Sequence, residues 1–344
     1  MGVPVRGPTA GRLRAAGSGA LEAGLNQAAD AGRSVAPLVH HGLRYASQQE
    51  FLAGAVPFLL EGLERGESVW VVARAHNAAC LRAALGPDAR NVVFHDCRRW
   101  YQHPVRALAA LDNAVRRLRG RRQRLRMIGE PAWMARPGRQ QREWARHEAL
   151  VNVALATASA SLMCAYDTRV LDAEQVAQVG QTHPTMMVGD SPRPSSCYRD
   201  PVLFSAECDR FPLPDPPPEA LRLAFNRLGQ LATLREFMTS YATWAGARAQ
   251  AVEQFVQALD EVATNVMEHG GGVGVLRLWT GPRVLSCEVS DSGAGIEDPL
   301  AGQLPPPAGR VGGCGLWLAR QFCDLVEVRS NAAGTTVRLH LALP

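Results

Sequence analysis

The chain has 344 residues, 47% of them hydrophobic and 20% charged, with a formal net charge of +5, which is typical of a globular protein of two domains. No apolar run of about 18 residues is present to span a bilayer, and no apolar signal-peptide core follows the first arginines, so we expect a cytoplasmic protein without membrane contact. All 37 basic residues are arginine. The lack of lysine excludes an ordinary Walker A loop, the strand lysine of eukaryotic-type protein kinases and Schiff-base chemistry.

The N-terminal half has a disordered extension and then alternating elements. Residues 1–35 are rich in Gly, Ala and Arg without a sustained pattern, which predicts disorder. Residues 36–195 then alternate apolar strands with amphipathic helices, which predicts a mostly parallel, three-layer α/β sheet with helices on both faces. The predicted strands are 67–73, 91–96, 124–130 and 161–167, and the predicted helices are 47–66, 78–85, 104–119 and 140–156.

Charged and aromatic residues cluster near the ends of these strands. Ligands of parallel sheets gather beyond the carboxyl ends of the strands, where this chain places Arg74, Asp96, Glu130 and Asp167. Two interpretations stay open: a small-molecule pocket, or core aromatics with acids that cap helices. The aromatic residues concerned are Trp100, Tyr101, Trp133 and Tyr166.

Three further patterns are interpreted as structural. The run 115–126 has seven arginines but no nucleic-acid-binding signature accompanies it, so we interpret it as a solvated helix end and loop. His40, His41 and His183 have no partners at metal-ligand spacing in the sequence. The eight cysteines form no Cys-x-x-Cys pair, which indicates reduced, mostly buried thiols rather than a metal site or a disulfide framework.

A proline-rich segment separates the halves. Residues 196–219 are predicted to form a Pro-rich linker, and the five prolines near its end predict a semi-rigid, extended spacer there. The C-terminal domain, 220–344, is predicted to layer helices on one face of a mixed sheet as a two-layer α/β sandwich. Its predicted strands are 220–225, 274–280, 284–290 and the hairpin 325–329 with 335–343, and its first helix is 231–246.

One helix of this domain carries a polar pair. In the stretch 251–270, apolar residues recur at steps of three and four and predict a buried seam. Glu261 and Asn265 lie four residues apart beside that seam, so their side chains project next to each other. A carboxylate beside an amide suits catalysis and metal ligation, although most such pairs are solvated surface. The seam residues are Val252, Phe255, Leu259, Val262 and Val266.

Two glycine turns follow the helix. Asp291 ends the strand 284–290 and is followed by Gly293 and Gly295, a pattern that an ordinary turn also shows. Gly313 and Gly315 precede a helix, where glycine lets backbone amides approach an anion.

The three motifs in this order resemble the GHKL, or Bergerat, ATP-binding fold of gyrase, Hsp90, histidine kinases and mismatch-repair ATPases. The similarity is closest to the serine kinases that act as bacterial anti-sigma factors. The phrases FLLEGLERGE, GEPAW, HEALVN and CAYD within 36–195 resemble the MEDS sensory domain, thought to be a degenerate RecA-like domain. Together the two halves resemble anti-sigma factor regulatory proteins of the RsbA type.

The resemblance implies how nucleotide is held. Asp291 accepts a hydrogen bond from the adenine amino group, and Gly293 and Gly295 let the backbone pass close to the nucleotide. Asn265 ligates Mg²⁺, which bridges the phosphates. A further set of residues forms the phosphate-binding turn: Gly313, Gly315 and Leu316.

The resemblance also implies the chemistry and the partners. Glu261 is the general base toward a serine or threonine hydroxyl, and Arg310 lies in a lid and neutralises the transferred charge. The cofactors are ATP and Mg²⁺. The partners are a sigma factor and an anti-sigma factor antagonist, with a small-molecule ligand at the N-terminal domain, a homodimer as the assembly and no direct nucleic-acid contact.

Two functions stay open at this point. The first is a sensor-coupled anti-sigma factor that phosphorylates its antagonist, and the second is an ATP-binding module that sequesters a partner without kinase activity. A sensor histidine kinase is disfavoured because no helical hairpin with a phosphoacceptor histidine precedes residue 220.

Overall fold

The structure is a computed structural model that describes residues 37–131, 138–306 and 313–344. The predicted disordered extension, 1–35, lies outside the described residues, as do Trp133 and Arg310. Within the described ranges, none of the helices combines the length and the apolar character that crossing a membrane requires.

The first half of the described chain builds one seven-stranded sheet, here called the N-terminal sheet. Its strands are β1 (Val39–Tyr45), β2 (Ser68–Ala73), β3 (Val92–Asp96), β4 (Leu125–Gly129), β5 (Ala160–Asp167), β6 (Thr185–Val188) and β7 (Ser191–Pro194). They lie in the order β3-β2-β4-β5-β1-β6-β7, and every pairing is parallel except the antiparallel β6–β7 hairpin. The predicted mostly parallel sheet is confirmed.

Helices cover both faces of this sheet. They are α1 (Gln48–Glu64), α2 (Ala75–Leu85), α3 (Cys97–Trp100), α4 (Pro104–Gly120), α5 (Gly138–Ala154) and α6 (Ala173–Thr182). Phe51 of α1 and Leu81 of α2 belong to the core on one face, whereas Leu108 of α4 and Trp144 of α5 belong to the core on the other. All eight residues of β5 are buried, as expected of a central strand covered on both sides. The predicted three-layer arrangement, a sheet between two layers of helices, is confirmed.

The residues near the strand ends are buried in the core or accept hydrogen bonds from backbone amides at helix starts. Tyr101 and Tyr166 are buried in the core under α4 and α5. Asp96 accepts a hydrogen bond from the amide of Arg98 and caps α3. Glu130 is buried and accepts from the amide of Arg74 at 2.9 Å and from the hydroxyl of Tyr45 at 3.1 Å. Of the two interpretations left open, the structure supports capping and core packing at these positions.

The arginine run is only partly a solvated surface. Arg116 is exposed and pairs with Asp112 one turn before it. Arg126, in contrast, is buried and bonds Glu61 at 2.8 Å and Glu67 at 2.5 Å. The prediction fails for the end of the run because Arg126 lies on the central strand β4, where a charge needs buried partners.

The second half builds a five-stranded sheet, here called the C-terminal sheet. Its strands are β8 (Leu221–Phe225), β9 (Gly274–Gly281), β10 (Val284–Asp291), β11 (Leu325–Asn331) and β12 (Gly334–Ala342). The order is β11-β12-β10-β9-β8, and every pairing is antiparallel. The mixed sheet predicted here is therefore wrong: β9–β10 and β11–β12 are hairpins, β10 pairs directly with β12, and β8 returns antiparallel to β9 although two helices separate them in the chain.

Helices pack on one face of this sheet. They are α8 (Gln230–Trp244), α9 (Ala249–Glu268) and α10 (Gly315–Phe322), and they share one core with β8 to β12. All five predicted seam residues of α9 are buried in that core. The predicted two-layer sandwich is confirmed.

The opposite face of the C-terminal sheet is polar but buried. Glu288 of β10 bonds Arg338 of β12 at 3.0 Å and Arg277 of β9 at 3.1 Å. His340 bonds Glu327 at 2.9 Å and Ser286 at 3.0 Å. The alternation in β10 therefore separates apolar from polar residues, and ion pairs satisfy the polar face.

The segment 196–219 is not an extended spacer throughout. Residues Pro201–Asp209 form helix α7, which packs on α5 through Phe204 and Cys208. Asp200 caps this helix by accepting from two backbone amides at 2.9 Å, and Pro201 takes the first helical position, where its missing N–H costs nothing. This helix precedes the prolines at 212–218, for which the extended spacer is predicted, and the local capping signal starts it.

Candidate nucleotide site

The polar pair of α9 faces the start of α10. A Cβ atom built on Gly315 would lie 3.0 Å from Oε2 of Glu261 and 3.1 Å from Nδ2 of Asn265. Any side chain at position 315 would therefore press on both groups. The apolar seam of α9, buried in the core, fixes the rotation of the helix, and this rotation directs the pair toward the glycine turn.

The carboxylate of Asp291 is held by the backbone. Its Oδ1 accepts from the amide of Gly293 at 2.9 Å and from the amide of Thr335 at 3.2 Å. A Cβ on Gly270, just after α9, would lie 2.7 Å from Cγ of Asp291. The end of β10 therefore packs between the end of α9 and the start of β12, and one oxygen of the Asp291 carboxylate accepts hydrogen bonds from two amides.

Two of the predicted glycines have backbone conformations that favour glycine. Gly295 has φ +86° and Gly313 has φ +78°, in the region that residues with a Cβ rarely adopt. At Gly295 an added Cβ would also collide with the carbonyl of Asn331 at the end of β11. The first glycine turn therefore passes directly against the last hairpin.

These elements enclose a cavity of about 350 Å³. Six of the predicted residues line it: Asn265, Asp291, Gly295, Gly313, Gly315 and Leu316. Glu261 and Gly293 adjoin the cavity without being among its lining residues, and Arg310 lies outside the described residues. The three motifs, separated by about twenty residues each in the sequence, meet at one place.

The cavity offers backbone donors rather than cationic side chains. Among the described residues that line it, the charged ones are acidic: Asp291, Glu297 and Asp298. Helix α10 begins at Gly315, and its N-cap residue Cys314 makes no side-chain capping bond. The first amides of α10 thus lack a side-chain cap, and the helix dipole adds partial positive charge at that end.

The surroundings of Glu261 shift the pKa of its carboxyl group. Partial burial raises the pKa of the Glu261 carboxyl above its ordinary value, and the negative charges of Asp260 and Glu268 raise it further. A carboxylate with a raised pKa is a stronger base once it is ionised.

The sequence interpretation missed Thr335. This residue lines the cavity and donates its backbone amide to Asp291. The preceding Gly334 has φ +139°, and a Cβ there would collide with the carbonyl of Asp291. The Gly-Thr-Thr stretch that opens β12 carried this signal, since glycine at a strand start often marks a close backbone approach.

Two of the histidines lie close to other residues with metal-ligand atoms, which their spacing in the sequence does not indicate. His40 and His183 lie in the core under the N-terminal sheet beside Glu148 and Cys164, with their ligand-type atoms within 4.8 Å of one another. Sequence spacing hid this cluster because β1 pairs in parallel with β5, which brings residues 124 apart into contact. All eight cysteines lie in the described residues and form no disulfide there, and five of them are buried.

Two family models match the chain. Residues 39–184 match the MEDS domain, described as the MEthanogen/methylotroph, DcmR Sensory domain, and residues 225–341 match the histidine kinase-like ATPase domain. The chain therefore joins a MEDS sensory domain to a GHKL-like ATPase domain. It is a regulatory ATP-binding protein by its domain content.

Among solved structures, the chain is similar to the RsbU and RsbW domains of Rv1364c from Mycobacterium tuberculosis. The two are 16% identical, the match covers 61% of this chain and 51% of that chain, and the TM-score is 0.28. The chain thus spans about half the length of that neighbour, and a TM-score this low carries no argument about function. No curated protein matches the chain.

Proposed function

We propose that the protein is an anti-sigma factor regulator that binds Mg-ATP and phosphorylates an antagonist protein on serine or threonine. The observation that carries this proposal is the placement of Glu261 and Asn265 against Gly315, beside the cavity of the ATPase domain. The MEDS domain would report a chemical signal to this kinase, and the partners would be a sigma factor and its antagonist.

The adenine end of the nucleotide would lie at Asp291. Because Oδ1 of Asp291 already accepts from two backbone amides, the carboxylate has a fixed orientation. Its other oxygen then accepts from the exocyclic amino group of adenine. At the other end, the phosphate oxygens would accept hydrogen bonds from the backbone amides at the start of α10. Gly313 and Gly315 have no Cβ atoms that would obstruct this approach.

The residues present fit a magnesium ion beside the phosphates. Mg²⁺ prefers hard oxygen ligands and usually binds one or two protein groups together with phosphate oxygens. Asn265 offers an amide oxygen that lines the cavity, 3.4 Å from a Cβ built on Gly315. When bound, the ion would offset the negative charge of the phosphates.

Glu261 would act as the general base. Its carboxylate takes the proton from the hydroxyl of the incoming serine or threonine, whose oxygen forms a bond to the γ-phosphorus. The bond between that phosphorus and the bridging oxygen breaks, and ADP leaves. The raised pKa of Glu261 suits this role, because it brings the base closer to neutral pH.

The second candidate function is an ATP-binding module without chemistry. It is favoured by the position of Glu261, which adjoins the cavity but is not among its lining residues, whereas Asn265 is. In that case nucleotide would set the conformation of the domain, and partner binding alone would regulate the sigma factor.

One experiment separates the two functions. An antagonist recovered from the native cell by pull-down is incubated with γ-labelled ATP, Mg²⁺ and the full chain. We expect Glu261→Gln to lower phosphate transfer by about 100-fold or more, with ATP affinity within about twofold as measured by calorimetry. Glu253→Gln, an exposed glutamate on the same helix, is the matched control and should transfer normally.

The outcomes are distinct. Transfer that depends on Glu261 supports the kinase. Nucleotide binding without transfer to the recovered antagonist by the unaltered chain supports the binding module. Equal transfer by Glu261→Gln rejects Glu261 as the base, and a failure to bind adenine nucleotide rejects both functions.

A further inference from the structure

Four side chains with metal-binding atoms meet inside the core of the N-terminal half. They come from four elements: His40 from β1, Glu148 from α5, Cys164 from β5 and His183 from the residue after α6. Their exposed fractions are 3%, 3%, 7% and 0%, in that order. Such a concentration of polar groups in a core needs a physical reason, since each one costs free energy unless it is satisfied.

Four distances among these atoms are close to those of a tetrahedral metal site. Sγ of Cys164 lies 3.5 Å from Nε2 of His40 and 3.7 Å from Oε2 of Glu148. That Oε2 lies 3.9 Å from Nε2 of His40 and 3.8 Å from Nε2 of His183. Donor atoms at tetrahedral corners, with metal bonds of about 2.0 to 2.3 Å, lie about 3.3 to 3.8 Å apart.

The His40 ring is oriented by a neighbouring amide. Nδ2 of Asn152 donates to the carbonyl oxygens of Ala149 at 3.1 Å and of Thr182 at 2.9 Å. Its Oδ1 therefore faces Nδ1 of His40 at 3.0 Å and accepts a hydrogen bond from it. With the proton on Nδ1, the lone pair of Nε2 faces the thiol and the carboxyl group. Metal-binding histidines are typically fixed in this way by a partner on the other ring nitrogen.

The His183 ring is fixed in the same tautomer. Its Nδ1 lies 2.8 Å from the carbonyl oxygen of Val179, which only accepts, so Nδ1 carries the proton. Its Nε2 is fully buried and has no hydrogen-bond partner, although it lies near Glu148. A buried ring nitrogen with an unpartnered lone pair, 3.8 Å from a carboxyl oxygen, is available as a ligand for a cation.

We propose that His40, Glu148, Cys164 and His183 bind a zinc ion in a closed, four-ligand site. Two neutral imidazoles, one thiolate and one carboxylate carry two negative charges, which a divalent cation neutralises inside the core. The set of nitrogen, sulfur and oxygen donors at tetrahedral spacing suits Zn²⁺. On binding, the proton of the Cys164 thiol is released to solvent and a zinc–sulfur bond forms.

The site belongs to the structural kind of zinc site. All four positions are filled by protein side chains, so none is left for a water molecule or a substrate. The ion would tie β1 to β5, which already pair, and would fasten α5 and the end of α6 to them. The proposal does not depend on the kinase function, because it concerns the other half of the chain.

Metal content tests the site directly. The full chain, made without an affinity tag in zinc-containing medium and desalted, is analysed by mass spectrometry of its metals. We expect about one zinc per chain, and less than about 0.1 in Cys164→Ser and His183→Gln. Cys97→Ser is the matched control, since Cys97 is a buried thiol under the same sheet outside the cluster, and it should keep its zinc.

A second measurement does not depend on how the variants fold. Cobalt exchanged into the unaltered chain should give intense visible bands of a tetrahedral ion together with a thiolate charge-transfer band in the near ultraviolet. No stoichiometric zinc and no such cobalt spectrum in the unaltered chain would overturn the proposal. Full zinc content in a natively folded Cys164→Ser would also overturn it.

Discussion

The two halves of the chain assemble polar groups in opposite ways. In the ATPase domain, glycines of the turns and side chains such as Asn265 and Asp291 line a cavity that opens to the surface. In the MEDS domain, four side chains meet in a closed core and leave almost nothing exposed. An open cavity suits a ligand that exchanges, whereas a closed cluster suits one that stays. If both proposals hold, an exchanging nucleotide binds one half of the chain and a permanently bound metal ion stabilises the other.

The two halves also contact each other through buried charges. Nη1 of Arg329 on β11 bonds Oε1 of Glu143 on α5 at 2.9 Å, and Nε of Arg329 donates to the carbonyl of Phe211 at 2.7 Å. Both Arg329 and Glu143 are nearly fully buried. The two sheets therefore belong to different domains, but their domains pack against each other through this buried contact.

The largest effect is expected when the contact between Arg329 and Glu143 is removed. Arg329→Met leaves Glu143 buried without this partner, so the free energy of unfolding should fall by about 3 to 5 kcal/mol. Denaturant unfolding followed by circular dichroism measures it. Arg283→Met, at an exposed position of the same domain, should change it by less than about 0.5 kcal/mol. If both variants unfold alike, the charged contact contributes nothing to stability.

The next largest effect concerns the open cavity. Asp291→Asn keeps an oxygen that can accept from the amides of Gly293 and Thr335, so the fold should be unchanged. The charge and the second acceptor oxygen are lost, which should weaken adenine-nucleotide binding by about 30- to 100-fold, or about 2 to 3 kcal/mol. Calorimetry with Mg-ADP measures this. Unchanged affinity would remove Asp291 from the adenine site.

A smaller effect is expected at the closed cluster. Asn152→Leu removes the acceptor of His40 but none of the four ligands, so zinc should still bind once per chain with about 10- to 100-fold lower affinity. Competition with a coloured chelator measures the affinity. Asn113→Leu, at an exposed position of α4, serves as the control. Equal affinities would show that Asn152 does not position the ring.

The smallest effect is a pH dependence of phosphate transfer. A general base acts only when ionised, and burial raises the pKa of Glu261, so transfer should be slow below that raised pKa and should rise with pH through it. The rise should be about tenfold per unit on the acid side. Glu261→Gln should lack this limb, and nucleotide binding over the same range shows whether the limb belongs to the chemistry. A limb of equal size in the variant would assign it to another group.

The sequence was informative where local spacing decides position. The helical period of α9 predicted its buried seam and the placement of Glu261 and Asn265 beside that seam. The antiparallel order of the C-terminal sheet, and the cluster around His40, depend instead on which strands pair. No local period encodes the contact of His40 with a thiol 124 residues away.

Helix α5 reaches both the closed cluster and the ATPase domain. Glu143 and Glu148 lie five residues apart on it, about 7.5 Å along its axis. Glu143 bonds Arg329, and two residues further on the carbonyl of Asn331 lies against Gly295 in the cavity of the ATPase domain. Glu148 belongs to the cluster. A rigid-body shift of α5 would therefore displace Glu143, Arg329 and the end of β11, which forms the cavity wall beside Gly295. The proline-rich segment need not move for this displacement to reach the cavity.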